Sequence, residues 1–106
     1  RLVVDTGIHA FGWSIERATA YMEEKTGMAA SECSEECHRY AAWPGQACAY
    51  KVGQLAIEDM RRRSEAALGE NFKLTAFHEL VLSSGPVPLA ILERRVDAWL
   101  ESAKCR

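Results

Sequence analysis

The longest helical pattern in this chain covers residues 46–68, where the sequence is QACAYKVGQLAIEDMRRRSEAAL. At about 100° per residue, six polar side chains share one arc of about 100°, and most of the remaining circumference is apolar or small. The six are Lys51, Gln54, Glu58, Arg61, Arg62 and Glu65. We therefore expect a long central helix that several others touch, closed by Gly69, with Gly53 marking the close approach of another backbone.

Helical periodicity continues on both sides of this segment. A first helix ends near Gly12, and Ser14 can cap a second helix that stops at Gly27. A third runs from about Ser31 to Ala42, before the corner at residues 44–45.

Two more helices follow the long one. Thr75 can cap a fifth helix, and a sixth runs from about Leu89 to Ala103. Nothing alternates with period two, and no Asn-Gly or Asp-Gly hairpin turn occurs. The sequence therefore predicts an all-α fold, a compact bundle of about six helices forming a single domain over residues 1–106.

The composition and charge of the chain restrict the functions that can be expected of it. The chain has 106 residues, 48% of them hydrophobic, and a formal net charge of −2. That charge gives no electrostatic case for a nucleic-acid partner. No apolar run approaches the roughly 18 residues of a membrane span. The first residue is Arg, so a processed chain or a fragment is expected, and the compartment stays open.

The first helix carries an unusual polar stripe. Arg1, Asp5 and His9 lie at i, i+4 and i+8. The apolar residues around them predict a buried helix; they are Leu2, Val3, Val4, Ile8 and Phe11. Burying three polar side chains costs free energy unless they satisfy one another or face a cavity. The stripe therefore indicates either an internal polar network or the wall of an active site.

Four cysteines are present, and their spacing favours packing over chemistry. Cys33 and Cys37 are i, i+4 on a predicted helix, with Cβ atoms about 5–6 Å apart, whereas a disulfide needs roughly 3.5–4.5 Å. No Cys-x-x-Cys pair supports a zinc site. We expect the cysteines to be small buried hydrophobes, and His38 and His78 to be surface or boundary residues.

Several motifs together carry a family resemblance. They are RxxxDTGIH at residues 1–9, GW at 12–13, RYxxWPGQAxxYKxG at 39–53, LGxxFxLxxFH at 68–78, PL at 88–89 and Trp99. This order resembles the C-terminal part of the mostly bacterial "domain of unknown function 885" family. Those all-helical proteins look like zinc metallopeptidases of the carboxypeptidase and dipeptidase type.

The resemblance implies a site without its metal. The family's His-Glu…His motif lies upstream of the matched region, and this chain contains no HExxH. A catalytic zinc needs three protein ligands, so we expect no metal or cofactor in this chain, and zinc only if an upstream segment exists. The resemblance implies that Gln46 and Tyr50, together with the stripe, form active-site walls.

The resemblance also implies roles for these residues. Arg1 would suit a peptide carboxylate, and His9 or Tyr50 could donate to an oxyanion. Asp5 would orient His9 or Arg1. No residue is assigned a catalytic role in this chain alone, because the zinc motif is missing. Three interpretations stay open for these residues: an internal polar network, the lining of a vestigial groove, or a joint site with another segment.

Two functional hypotheses follow. The first is a non-catalytic helical module of peptidase ancestry, acting as a structural or accessory subunit with other protein subunits and exposing apolar surface that needs covering. The second is the C-terminal fragment of a zinc carboxypeptidase or dipeptidase, partnered by the missing N-terminal part of its own fold. An upstream metal-binding helix would distinguish the two.

Overall fold

The computed structural model describes residues 1–105 and is built of α-helices, with no strand in that range. The helices are α1 Leu2–Phe11, α2 Ile15–Thr26, α3 Ala30–Ala42, α4 Gln46–Leu68, α5 Leu74–Ser83 and α6 Leu89–Lys104, with a single 3₁₀ turn at Gly69–Asn71. The prediction of an all-α chain with six helices and one long helix is confirmed. No helix within these residues is long and apolar enough to cross a membrane.

The chain divides into two units. Unit 1 covers Arg1–Val52, and unit 2 begins at Gly53. Helix α4 starts in unit 1 and continues into unit 2. Each unit has its own cluster of buried residues, so each is described separately below.

Unit 1 is formed by α1, α2 and α3, which pack on one another, and by the start of α4. Its buried core is Val4, Ala18, Met22, Cys33, Cys37, Tyr40 and Ala47. Ser14 caps α2 as predicted, because its Oγ accepts the Arg17 backbone N–H at 3.1 Å. At Gly7 a Cβ would lie 2.5 Å from the Trp13 ring, so this position of α1 requires glycine.

Unit 2 contains the rest of α4 together with α5 and α6, which pack on each other. Its buried core is Met60, Phe77, Leu92, Val96 and Leu100. Ser64 is fully buried and donates its hydroxyl to the Met60 carbonyl at 2.8 Å, which satisfies that polar group within the helix itself.

Two local predictions are wrong. Helix α5 begins at Leu74 after Lys73, so Thr75 lies inside the helix and does not cap it. The extended backbone of Lys73 starts the helix, and its carbonyl accepts the Phe77 N–H at 3.1 Å. Gly53 does not mark a close backbone approach, because a Cβ added there would meet nothing within 4 Å.

The predicted burial of two helices is also wrong in part. In α1, Phe11 is 74% exposed, and Leu2 and Val3 are exposed as well. In α4, the apolar side chains Tyr50, Val52 and Leu55 are all at least half exposed. Apolar character all around a helix therefore did not mean burial all around it.

Candidate functional site

Asp5 is the buried member of the α1 stripe. Its side chain is 3% exposed, and both carboxylate oxygens accept the backbone N–H of Gly45 at 3.2 Å. Gly45 has φ +81, the left-handed conformation that glycine adopts readily, and it lies in the turn between α3 and α4. Asp5 therefore fastens α1 to this corner.

His9 makes a second, separate attachment. Its Nε2 donates to the backbone carbonyl of Tyr40 at 2.9 Å, which ties the C-terminal half of α1 to α3. This hydrogen bond uses Nε2 and leaves Nδ1 as the other ring nitrogen. The structure thus gives His9 a role in holding two helices together.

Arg1 behaves differently from the other two. Its side chain is about half exposed, with Nη2 4.0 Å from Glu36 Oε2 and the guanidinium carbon 5.7 Å from the centre of the Tyr50 ring. The cation lies within the distance at which an aromatic face attracts it. The side chains of Arg1, Asp5 and His9 therefore have different partners, namely Glu36 and Tyr50 for Arg1, the Gly45 N–H for Asp5 and the Tyr40 carbonyl for His9.

Glu36 is the centre of a polar cluster that the sequence interpretation missed. Its Oε2 accepts from Arg39 Nη2 at 2.7 Å and from the Tyr40 hydroxyl at 2.9 Å. These two hydrogen bonds hold the pKa of the Glu36 carboxyl below its usual value. Glu36 is therefore an ionised partner for two neighbours on its own helix.

The same hydrogen bonds affect the partners. The bond to Glu36 raises the pKa of the Arg39 guanidinium. Burial, followed by the bond to Glu36, raises the pKa of the Tyr40 hydroxyl. Tyr40 is itself a buried core residue. This side of the cluster is consequently a fixed part of the structure, with Arg39 charged and Tyr40 protonated.

Gln46 and Tyr50 join this cluster from α4. Arg39 Nη1 donates to Gln46 Oε1 at 2.6 Å, and Tyr50 lies beneath Arg1. Glu36 and Arg39 were detectable in the sequence as an i, i+3 acid–base pair. Helical spacing alone did not show that α3 would present them to Gln46.

The cysteines divide into two groups. Cys33 and Cys37 are fully buried in unit 1, and the Cys37 thiol lies 3.6 Å from the Met22 sulfur. Burial raises the pKa of Cys37, which keeps its thiol protonated. The packing prediction is confirmed for these two, whereas Cys48 is only partly buried and Cys105 is exposed.

The described residues do not fit a zinc site. Among residues 1–105, no three side chains of His, Cys, Asp or Glu come together as a possible set of metal ligands. His38 is exposed and its Nδ1 donates to the Ser34 carbonyl at 2.7 Å; His78 is also exposed. Both match the expected surface positions.

An apolar groove lies on the other side of α1. It has a volume of about 350 Å³ and is lined by Leu2, Val3, Thr6, Gly7, Phe11 and Trp13. Its side chains include the most exposed apolar residue of unit 1, Phe11. Helix α1 therefore presents two surfaces, a polar stripe toward α3 and α4 and an apolar groove toward solvent.

The family described as "Bacterial protein of unknown function (DUF885)" matches residues 1–96, and this chain belongs to it. No curated protein matches the sequence. The chain is similar to a protein of known crystal structure from Colwellia psychrerythraea, described as a "putative lipoprotein", with 50% identity and a TM-score of 0.93. The match covers 95% of this chain but only 17% of the Colwellia chain, so this chain spans less than a fifth of that relative.

Proposed function

We propose that this chain is a non-catalytic helical module of peptidase-like ancestry that serves as a structural or accessory part of a larger protein assembly. The observation that carries the proposal is the apolar groove on α1. Leu2, Val3 and Phe11 are exposed side chains of α1 that line this groove. An apolar groove of this kind is a surface on which a protein partner can pack.

The comparison with the Colwellia structure supports the same proposal. In the Colwellia protein, the segment that this chain matches is 17% of a longer chain, so in that relative it is one part of a larger structure. The partner surface would be another protein subunit or the N-terminal part of the same fold. In either case the exposed apolar residues of α1 become buried on assembly.

Hydroxyl-radical footprinting tests this role. We expect Phe11 and Leu2 to react readily in the isolated chain and to be protected in the native protein that contains it. Equal reactivity in both samples would contradict the proposal. As a matched pair, Phe11→Glu should weaken the assembly, while Met28→Glu, an exposed apolar position of unit 1 outside the groove, should leave it intact.

A second candidate is favoured by the polar cluster. In this alternative the chain is the C-terminal fragment of a zinc-dependent carboxypeptidase or dipeptidase, and Arg1, Asp5, His9, Gln46 and Tyr50 line a joint site with an upstream metal-binding segment. Its support is that all five lie in unit 1, with Arg1 and Tyr50 open to solvent.

Intact mass and metal analysis of the native polypeptide separate the two candidates. A longer polypeptide with an HExxH-type helix and stoichiometric zinc is the result expected from the second candidate. A polypeptide without either, associated with other subunits, is the result expected from the first.

A further inference from the structure

We infer that three sulfur atoms in the core of unit 1 form a binding site for a soft monovalent metal ion, Cu(I). The ligands are Cys33 and Cys37 on α3 and Met22 on α2. The site goes beyond the packing role of the two thiols, and it departs from the expectation that the chain holds no metal. Three features support it: the sulfur cluster, a buried hydroxyl beside it, and a groove that leads to it.

The three sulfur-bearing side chains lie together in the core. Cys33 and Cys37 have no exposed surface, and Met22 is 4% exposed. Cys37 Sγ lies 3.6 Å from Met22 Sδ, within the roughly 4.6 Å that two sulfurs can span when each is about 2.3 Å from one metal. Cys33 is one turn earlier on the same face of α3, and its thiol interacts electrostatically with that of Cys37. Its other polar contact is a long one, 3.9 Å to the Met28 carbonyl.

The type of donor atom determines which metal fits. Thiolate and thioether sulfurs are soft ligands that favour Cu(I), whereas structural zinc takes four ligands from Cys, His or carboxylate side chains. Among residues 1–105 no three side chains of His, Cys, Asp or Glu come together, so a zinc set is not formed. When Cu(I) binds, two thiols release their protons to the buffer, two Cu–S bonds form, and Met22 donates a lone pair without any transfer of electrons. The resulting complex carries one negative charge.

A buried hydroxyl is in place to stabilise that charge. Thr19 Oγ1 on α2 is buried and makes no hydrogen bond that meets geometric criteria within residues 1–105. Burial raises the pKa of Cys37, and the Thr19 hydroxyl beside it opposes this shift, because donation from a hydroxyl favours the thiolate. Buried hydroxyls normally have a partner. A metal-bound Cys37 thiolate supplies the missing acceptor, and such outer partners hold metal ligands in place.

A groove on the surface of unit 1 gives access to the cluster. It has a volume of about 340 Å³, and its lining includes Thr19, Glu16, Glu23 and His38. The two carboxylates and the imidazole attract a cation at the mouth. Because Thr19 belongs both to the wall of the groove and to the surroundings of Cys37, a short path past this side chain leads into the core.

Anaerobic titration of the chain with Cu(I), in competition with the chelator bicinchoninate, tests the site. Cys48→Ser and Cys105→Ser together remove the cysteines outside the cluster, and this variant should bind one Cu(I) per chain. Loss of an outer partner typically weakens metal binding about 10–100-fold, so Thr19→Val in this background should have an effect of that size. Met22→Leu, which removes a ligand, should weaken binding by at least about tenfold.

The matched control is Met60→Leu. Met60 is 3% exposed, as buried as Met22, but it lies in the core of unit 2, which contains no cysteine. Both Met→Leu changes conserve side-chain volume, so the fold is kept. Met60→Leu should leave the affinity for Cu(I) unchanged. Absence of Cu(I) binding in the variant lacking Cys48 and Cys105, unchanged affinity in Met22→Leu, or an equal loss in Met60→Leu would each overturn the inference. Tighter binding of Zn²⁺ than of Cu(I) would also overturn it.

Discussion

The two units of this chain are stabilised in different ways. Unit 1 buries a carboxylate and two thiols and connects its helices through hydrogen bonds to backbone atoms, as at Asp5 and His9. Unit 2 buries apolar side chains around Phe77 and Val96 and keeps its ion pairs exposed, as at Arg63. Hydrogen bonds to particular partners determine how the helices pack in unit 1. In unit 2 the size and shape of the apolar side chains determine the packing.

The difference has a functional consequence. A buried polar group is tolerated only where its partner is in place, so the bonds of Asp5 and His9 fix the position of α1. Arg1, on the same stripe, is half-exposed and has only an ion pair to Glu36 at 4.0 Å and a contact with the Tyr50 ring. The described polar residues of unit 2 do not attach one helix to another through a buried carboxylate, because its main charged groups form ion pairs at the surface.

The largest effect should come from the apolar core of unit 2. Phe77→Ala removes a side chain that is 1% exposed, and we expect a loss of about 3–5 kcal/mol in the free energy of unfolding. Urea denaturation measures this loss of stability, and hydrogen exchange of the amides in α5 and α6 shows whether it arises in unit 2. Leu82→Ala is the control, since Leu82 is 74% exposed on the same helix and should change stability by less than about 0.5 kcal/mol. A small effect at Phe77 would show that unit 2 does not depend on its apolar core.

The next effect should come from the polar attachment in unit 1. Asp5→Ala leaves the Gly45 N–H without its acceptor, and we expect a loss of about 1–3 kcal/mol. The same change at exposed Asp59, which only makes ion pairs with arginines on its own helix, should cost less than about 1 kcal/mol. Equal losses of stability at the two positions would show that burial of the Asp5 carboxylate does not increase its contribution to the free energy of unfolding.

A pH-dependent effect should follow from Glu36. Its folded-state pKa is depressed, so it contributes stability that is present above its ordinary pKa near 4.5 and is lost as the pH falls through the folded value. Glu36→Gln should therefore flatten the dependence of stability on pH in this acidic range. Tyr40→Phe removes one of the two hydrogen bonds, and an NMR titration should then show the pKa of Glu36 rising. An unchanged pKa would mean that the Tyr40 hydroxyl does not act on this carboxyl.

The smallest effect should come from the surface ion pairs of unit 2. Arg63 contacts Glu93 and Asp97 at 3.1 Å, and its side chain is partly exposed. Pairs of this kind are worth about 0.2–1 kcal/mol each and are screened by salt. Arg63→Ala should therefore cost little, and its cost should shrink further at high ionic strength, as measured by urea denaturation. A loss of stability as large as that of Phe77→Ala would show that ion pairs, and not the apolar core, stabilise unit 2.

Helical periodicity predicted most of the fold. The helix ends at Gly12 and Gly27 and the cap at Ser14 follow from local chemistry, which acts over a few residues. Exposure was harder to predict, because a helix with apolar residues all round can still lack neighbours on one side. Phe11 and Tyr50 show this, since the sequence does not state which surface of a helix another element will cover.

The sequence predicted which residues of α1 lie on one face of the helix, but not which groups they bond to. The i, i+4 and i+8 spacing placed Arg1, Asp5 and His9 on one face. The hydrogen-bond partner of His9, however, lies 31 residues away in the sequence, and that of Asp5 lies 40 residues away. Pairings between helices depend on how the helices pack. For the same reason no local pattern indicated that Glu36 would face Arg1, 35 positions away.

A double-mutant cycle between Arg1→Met and Asp5→Ala tests most directly the claim that Asp5 fixes the position of α1 independently of Arg1. The side chains of Asp5 and Arg1 share no partner, and an i, i+4 pair of opposite charges contributes only about 0.2–0.5 kcal/mol. Their effects on the free energy of unfolding should therefore add within about 0.5 kcal/mol, with Arg1→Met costing little by itself. A coupling energy above about 1 kcal/mol would show that the two residues belong to one internal network, and would contradict the account.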